Sequence, residues 1–390
     1  MTAVTDRPPN ARPGLGDPAP RFSAITVAGG QIDIHVDAGR YVVLSFIGAP
    51  TDPNTYLDRR VGELLRHPKL FRDDHIVCYG ILNASPEPHS FYRAIRRPGL
   101  DFLVDADGVL ADLFGVTGTP WSIVLDPMMR VIASVPYSHP EGYANVLHNL
   151  LGSLPPPEQH AGIHVNAPVL IVPRVFEFEL CDLLVDYHTR VGGKDSGFLL
   201  DKDGVTATVT DYQLKRRTDC LVRDPALLAE LRVRIVRRLV PEIERAFSFK
   251  ATRMDRYLVA RYSAATGDHF SRHRDNLNAA AAHRRFAVTI NLNAEKTSYE
   301  GGDLRFPEFG NDSYRPPTGG AVVFSCGLLH EVPPVTRGDR FAFLAFLYGE
   351  EDARIRANAN AQLAEGERHY KMDDDLLVAS STQGQADPHK

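Results

Sequence analysis

Three consecutive prolines, within Leu154-Pro155-Pro156-Pro157-Glu158-Gln159-His160-Ala161-Gly162, constrain this chain more than any other feature. Each proline fixes φ and removes a backbone donor, so neither a helix interior nor a central strand runs through them. Such a run favours an extended, semi-rigid spacer and predicts a domain boundary. With 390 residues the chain is long enough to bury a core on each side. The expected division is a first domain over 1–153, a Pro-rich linker over 154–166, a second domain over 167–350, and a helical extension with a polar tail over 351–390. The apolar fraction of 43% excludes wholesale disorder. The formal charge, 44 − 49 = −5, argues against bulk affinity for nucleic acid or anionic membrane. No apolar run approaches the roughly 20 residues of a membrane-spanning helix, and the opening residues show no export signal, so the expected location is cytoplasmic.

The first domain alternates strand and helix signals. Tyr41-Val42-Val43-Leu44-Ser45-Phe46-Ile47 is a continuous β-rich run, expected of a strand buried on both faces. A helical pattern follows at 56–66, then a buried strand around Cys78, the run Phe102-Leu103-Val104-Asp105, and a short helix near 109–114. Ser122-Ile123-Val124-Leu125 and the stretch 130–135 read as a hairpin, giving an α/β domain with a mixed sheet. The four cysteines, Cys78, Cys181, Cys220 and Cys326, are widely spaced with no C-x-x-C, which fits neither a zinc site nor a disulfide framework.

Residues 14–152 resemble the peroxiredoxin/thioredoxin-like family. The resemblance rests on Gly16-Asp17-Pro18-Ala19-Pro20-Arg21-Phe22, the strand ending Ser45-Phe46-Ile47, and Thr119-Pro120 before the strand that leads into Asp126-Pro127. That family's peroxidase chemistry depends on a thiolate at the start of the helix after the first long strand. Here that stretch is Gly48-Ala49-Pro50-Thr51-Asp52-Pro53-Asn54-Thr55, without a cysteine. The resemblance therefore implies a thioredoxin-like fold that binds, positions or closes a homodimer, and no thiol peroxidase.

Beyond the linker the pattern changes. A β-like stretch at 169–176 leads into a helical one at 179–189, and Asp224-Pro225 starts a strong helix, with Asp as N-cap and Pro at the first helical position. Short strands separated by Gly, Pro and Asn turns follow, near 254–262, 286–292, 303–306, 320–324 and 340–348, the signature of an antiparallel barrel or jelly roll. Alternation puts Phe286, Val288, Ile290 and Leu292 on one face, leaving Thr289 and Asn291 on the other; Phe341, Phe343, Ala345 and Leu347 likewise oppose Arg340.

Within this frame, His273 and Asp275 stand two apart, so in extended chain both project to one side. A second imidazole, His330, follows a predicted strand. Two imidazoles and one carboxylate leave coordination positions open, which suits non-haem Fe(II) and oxygen chemistry. Arg340, ten residues beyond His330, presents a guanidinium that pairs well with a carboxylate.

Residues 168–350 resemble the Fe(II)/2-oxoglutarate dioxygenases, and among them the prolyl 4-hydroxylase-like group. The motifs are Tyr262, His273-Arg274-Asp275, Leu292-Asn293, Glu300-Gly301-Gly302-Asp303-Leu304-Arg305-Phe306-Pro307, and His330-Glu331-Val332-Pro333-Pro334-Val335 through Gly338-Asp339-Arg340. The resemblance implies a double-stranded β-helix (jelly-roll) domain with flanking helices, following the α/β thioredoxin-like domain. It implies His273, Asp275 and His330 as ligands of Fe(2+), Arg340 on the distal carboxylate of 2-oxoglutarate, and Tyr262 as a phenol that also reaches this cosubstrate. Asn291 stands where many relatives carry a pocket tyrosine; an amide still donates to a carboxylate, so Asn291 is a cosubstrate candidate. Related halogenases lack the carboxylate supplied here by Asp275, which favours hydroxylation.

The implied reaction consumes 2-oxoglutarate and O2, releases succinate and carbon dioxide, and hydroxylates a protein side chain, an amino acid or a small metabolite. L-ascorbate fits as an accessory reductant, as in some relatives. Outside the motif, His269 and His283 read as loop or rim residues, Glu331 and Arg274 point away from the metal, and Tyr257 and Tyr299 are packing or pocket-wall residues. Three other functions compete: a thiol peroxidase, which lacks its cysteine near Asn54, a thiol-independent redoxin-type protein, and a non-catalytic binding protein with a vestigial metal site.

Overall fold

The computed structural model describes residues 11–47, 68–72, 74–83, 90–116, 121–137, 140–202, 205–359 and 376–377. The stretch 48–55, the helix expected at 56–66, Thr119-Pro120 and the tail beyond 359, apart from 376–377, lie outside the described residues. The chain divides into two compact units, residues 1–167 with 306–312, and residues 168–305 with 313–390.

The first unit is built on a seven-stranded mixed sheet. Its strands are β1 (Ser23–Thr26), β2 (Gln31–Asp33), β3 (Tyr41–Phe46), β4 (Ile76–Leu82), β5 (Leu100–Val104), β6 (Trp121–Leu125) and β7 (Val131–Pro136), in the order β2-β1-β5-β4-β3-β6-β7. β3, β4 and β5 run parallel, β6 is antiparallel to β3, and β7 is antiparallel to β6. Every residue of β3 and β4 is buried, as continuous apolar runs require when both faces are covered. The helices of this unit are α1 (Ser90–Ile95), α2 (Val109–Leu113) and α3 (Pro140–Ser153). Leu147 and Leu151 of α3 pack with Val43, Cys78 and Phe102 of the sheet. Polar side chains inside this unit satisfy one another: Ser122 Oγ lies 2.6 Å from Ser45 Oγ and also bonds the Tyr143 hydroxyl.

The second unit is sheet-rich and antiparallel throughout its ladders. The strands are β8 (Leu170–Val172), β9 (Lys194–Asp195), β10 (Phe198–Lys202), β11 (Val205–Val209), β12 (Lys215–Arg216), β13 (Thr218–Leu221), β14 (Arg253–Ser263), β15 (His269–His273), β16 (Phe286–Asn291), β17 (Tyr299–Gly301), β18 (Leu304–Arg305), β19 (Ser313–Tyr314), β20 (Ala321–Ser325), β21 (His330–Val332) and β22 (Val335–Tyr348). One sheet runs β8-β20-β16-β22-β14-β13-β9, with β17 added along β22; the other runs β12-β15-β21-β18-β19; β10 and β11 form a separate hairpin. Two antiparallel sheets of this kind fit a jelly roll. The expected strands at 254–262, 286–292, 320–324 and 340–348 are all present within a residue or two, apart from β22, which begins at Val335. β9 to β13, β15, β17, β19 and β21 lie outside the expected strands; most of these are short and polar, whereas the hairpin β10–β11 has five-residue strands, with Val205, Ala207 and Val209 alternating with threonines.

Helices α4 (Phe178–Val191), α5 (Pro225–Arg238) and α6 (Val240–Phe247) cover one face of the larger sheet, and α7 (Glu350–Ala359) follows β22. Asp224 caps α5 by accepting from Leu227 N at 2.8 Å, with Pro225 at the first helical position. Its buried stripe, Leu227, Leu231 and Ile235, joins Val288, Ile290, Leu292, Phe341, Phe343, Ala345 and Leu347 in one core. The faces deduced from alternation are therefore the observed ones. The helix side is apolar, and Arg340, Thr289 and Asn291 stand on the opposite side of the sheet. At the core's centre Phe343 is fully buried and meets Phe176 edge-on, with centroids 5.4 Å apart. Phe343→Ala is expected to cost about 3–5 kcal/mol, read as a lower urea midpoint for the second unit.

Candidate metal centre

The site begins as a matter of strand register. β15 pairs with β21 so that His273 lies directly opposite His330. Facing positions in an antiparallel ladder put both side chains on one side of the sheet, here with ring centroids 4.1 Å apart. Asp275, two residues past His273, is held by its N–H donating to Cys326 O at 3.0 Å. Its Oδ1 lies 3.6 Å from His273 Nε2 and its Oδ2 3.4 Å from His330 Nε2. One donor atom from each residue falls within 4.8 Å of the others.

The tautomers are set by backbone. His273 Nδ1 is 2.8 Å from Ser271 O and His330 Nδ1 is 3.0 Å from Leu328 O, so each ring donates to a carbonyl and turns the Nε2 lone pair inward. Burial, and then His273 beside it, hold the His330 imidazole down at about 4, which keeps it neutral and able to ligate. Against the cost of burial, His330 and His273 hold the Asp275 carboxyl well below the usual carboxylate range. Phe270 stacks on His273 and Phe324 meets His330 edge-on, which fixes the ring planes. The neighbours of the ligands turn away as alternation demands: Arg272 pairs with Glu331 at 3.2 Å, and Arg274 bonds Gly327 O.

Arg340 stands on β22 opposite Tyr262 of β14. Its guanidinium is 5.5 Å from the Tyr262 ring centroid, the residue is only 3% exposed, and Nε is buried with no hydrogen-bond partner. A buried guanidinium in this state calls for an anion. Close approach of the flanking chain depends on glycine: a Cβ on Gly302, at φ 67°, would stand 2.6 Å from Val335 Cγ2 and 3.4 Å from Arg340 Cδ. At Gly338 a Cβ would meet Ser298 O at 2.0 Å.

The remaining sequence candidates are placed as follows. The Tyr262 hydroxyl accepts from Arg217 Nη1 at 2.7 Å, and Arg217 is itself paired with Asp219 at 2.8 Å. Asn291 donates through Nδ2 to Asn293 O at 2.8 Å and accepts at Oδ1 from the Tyr299 hydroxyl at 3.1 Å. Tyr299 is thus fully buried and in direct contact with Asn291. Its adjacency was not legible because β17 has no strand pattern. Tyr257 packs on the helix side against Phe343, as expected, and His269 sits at the rim, bonded to Gly267 O and Gln213 O. His283 is a correction: it is no rim residue but is 1% exposed, with Nε2 3.7 Å from Asp255 Oδ2 and its ring edge-on to Tyr348. The polar setting Ala282-His283-Arg284-Arg285 suggests a loop surface, but the loop folds under the sheet.

Residues 257–348 match the family model of the 2OG-Fe(II) oxygenase superfamily. A PKHD-type hydroxylase from Synechococcus sp. (strain CC9605) is 33% identical over 136 residues, covering 32% of this chain and 59% of the relative. A prolyl-4-hydroxylase from Pseudomonas putida is similar at 17% identity with a TM-score of 0.38, over 47% of this chain and 94% of its own. Peroxidoxin BcpB from Mycobacterium tuberculosis is similar at 19% identity with a TM-score of 0.32, over 37% of this chain and 99% of its own. The chain thus spans less than two thirds of the curated relative. Enzymes of the matched superfamily work with Fe(2+), 2-oxoglutarate and O2, and the His–Asp–His donor set and the unpaired Arg340 Nε fit that metal and that dicarboxylate.

Two outcomes follow from this geometry. Tyr299→Phe leaves the buried Asn291 Oδ1 without its donor and should lower stability by about 1–2 kcal/mol in urea titrations. Burial also holds the imidazoles of His188 and His283 below the ordinary value of 6.5. The unfolded chain therefore binds protons that the folded chain does not, so stability is complete above about pH 6.5 and declines as the pH falls below it. Metal-free protein should show a falling urea midpoint between pH 7.5 and 5.5, with a shallower slope in His188→Gln and His283→Gln; equal slopes would contradict the assignment.

Proposed function

We propose that residues 167–350 form an Fe(II)- and 2-oxoglutarate-dependent dioxygenase domain that hydroxylates an unactivated C–H bond of a protein residue, an amino acid or a small metabolite. The single observation that carries this reading is the opposition of His273 and His330 across one ladder, with Asp275 between their Nε2 atoms. These three side chains would hold the iron. Arg340 would take the distal carboxylate of 2-oxoglutarate, with the Tyr262 ring beneath it and Gly302 leaving room for its stem. Iron(II) so held would supply, with 2-oxoglutarate and O2, the oxidising power for hydroxylation, releasing succinate and carbon dioxide. The protein's part is to keep the His330 imidazole neutral, to fix both rings through Ser271 O and Leu328 O, to keep Asp275 ionised, and to close the dicarboxylate pocket with buried walls.

The first unit is read as a thioredoxin-like domain over residues 1–153, joined by the linker at 154–166, with the extension at 351–390 completing the chain. What supports it is the run β5-β4-β3-β6-β7, three parallel strands followed by an antiparallel hairpin. Its role in this reading is positioning or self-association. No helix among the described residues is long and apolar enough to cross a membrane.

The test is succinate formation from 2-oxoglutarate with iron(II) in air. His273→Ala should abolish it, as should chelation of the metal. Arg340→Gln removes a charge-assisted pair and should raise the 2-oxoglutarate concentration for half-maximal rate by about 10–100-fold. A rate that survives both His273→Ala and chelation rejects the proposal.

A further inference from the structure

On the site face of the larger sheet, far along β22 from Arg340, one cation has no counterpart. β14 is bulged between Asp255, opposite Phe346, and Leu258, opposite Leu344, and Arg256 lies in the bulge with φ 66°. Bulges often place glycine in this conformation, and a longer side chain there costs about 1–2 kcal/mol. The bulge sends Tyr257 to the helix side and brings the Arg256 guanidinium to 5.8 Å from the ring centroid of Phe346. Phe346 alternates in phase with Arg340, Ala342 and Leu344 along β22, so its ring is on the site face. Arg284 lies over the same ring at 4.0 Å.

Asp255, next to Arg256 in sequence, is already engaged. Its Oδ1 accepts from Arg356 Nη2 at 3.0 Å, and its Oδ2 from Arg284 Nη2 at 3.3 Å. Asp219 is taken by Arg217 and Ser196. Among the described residues Arg256 makes no hydrogen bond and no ion pair, and it is only half-buried, so its donors are reachable. Burial, and then Arg284, pull its guanidinium down to about 10, so it stays charged at neutral pH. Lys215 adds no comparable charge: its Nζ donates to Gly197 O at 2.6 Å and lies 4.8 Å from the Phe270 ring, and burial, and then Arg217, hold its ammonium well below the ordinary lysine value. Strained backbone clusters at functional sites, and here it holds a cation that feels Asp255 and Asp219 at a distance and pairs with neither.

We propose that Arg256 is a specificity-determining residue that receives an oxyanion, carboxylate or phosphate, carried by the substrate. The word substrate rests on the dioxygenase reading; the anion site does not. Arg256 does not duplicate the cosubstrate pocket, because Arg340 and Phe346 are six residues apart on one strand, about 20 Å at about 3.3 Å per residue. A molecule held at Arg256 extends toward the metal ligands from the end opposite Arg340.

The test is the melting temperature of the full metal-free chain titrated with inorganic phosphate and, separately, with acetate. Wild type should be stabilised by one or both; phosphate alone points to a phosphorylated substrate, acetate alone to a carboxylate. Arg256→Gln should weaken the response by about tenfold or more, the loss expected for one charge-assisted contact. Arg256→Asn, which tolerates positive φ, should lose it as well, so misfolding of one variant does not decide the matter. Arg340→Gln should keep it. No response in wild type, an equal response in both Arg256 variants, or a response lost in Arg340→Gln overturns the proposal. A chain that binds no iron and no 2-oxoglutarate, yet keeps the Arg256-dependent response, sinks the dioxygenase reading and leaves the anion site standing.

Discussion

One cross-strand pair organises the second unit: His273 against His330 on β15 and β21. Backbone hydrogen bonds fix the register, the register fixes which side chains face each other, and the carbonyls of Ser271 and Leu328 fix how each ring is turned. None of this depends on a flexible side chain finding its place. Because a one-residue slip of either strand would send an imidazole to the far side of the sheet, the site is as well specified as the ladder itself. The outward pair Arg272–Glu331 belongs to the same register and would be lost in the same slip.

Around that pair the chain departs from ordinary backbone geometry. Gly302 and Gly338 take positive φ where β17 and the start of β22 approach too closely for a Cβ, and this brings Arg340 into place. Arg256 takes positive φ with no glycine to relieve it. The larger apolar core, by contrast, is regular: α5 and the alternating faces of β16 and β22 show no such strain. The rigid side of the sheet carries the packing, and the opposite side carries the irregularities that aim charges.

The same contrast explains what could be read in the sequence. β16 and β22 are legible because burial of one face imposes a period of two on residues such as Val288, Ile290, Phe343 and Ala345. The helix α5 is legible from Asp224-Pro225 and its apolar stripe. The metal ligands stand out by chemistry, through the types and spacing of His273, Asp275, His330 and Arg340, and not by any secondary-structure signal. β15, β17 and β21 are three to five residues long and carry polar side chains toward a cavity, so neither their strands nor the Tyr299–Asn291 contact has a periodic signature. His283 misleads for a related reason: it and its neighbour Arg284 are polar because they face Asp255 inside the protein, not because they face water. A pattern of hydrophobicity reports burial only where the partners are apolar.

The chemistry of the sulfur atoms narrows where oxidation can take place. All four cysteines are buried and free. Burial pushes the thiols of Cys78 and Cys181 up to about 12, and those of Cys220 and Cys326 also upward. A peroxide-reducing cysteine needs the reverse: access to solvent and an electropositive setting that lowers its pKa. Cys78 lies inside the sheet of the first unit, where the cost of burying a thiolate outweighs the help that Ser45 and Arg97 would give it. Thiol peroxidation therefore has no competent nucleophile among these four cysteines. The donor set of the second unit is the opposite case, with low pKa values suited to ligation: a carboxylate that stays ionised and an imidazole that stays neutral, side by side in a buried site.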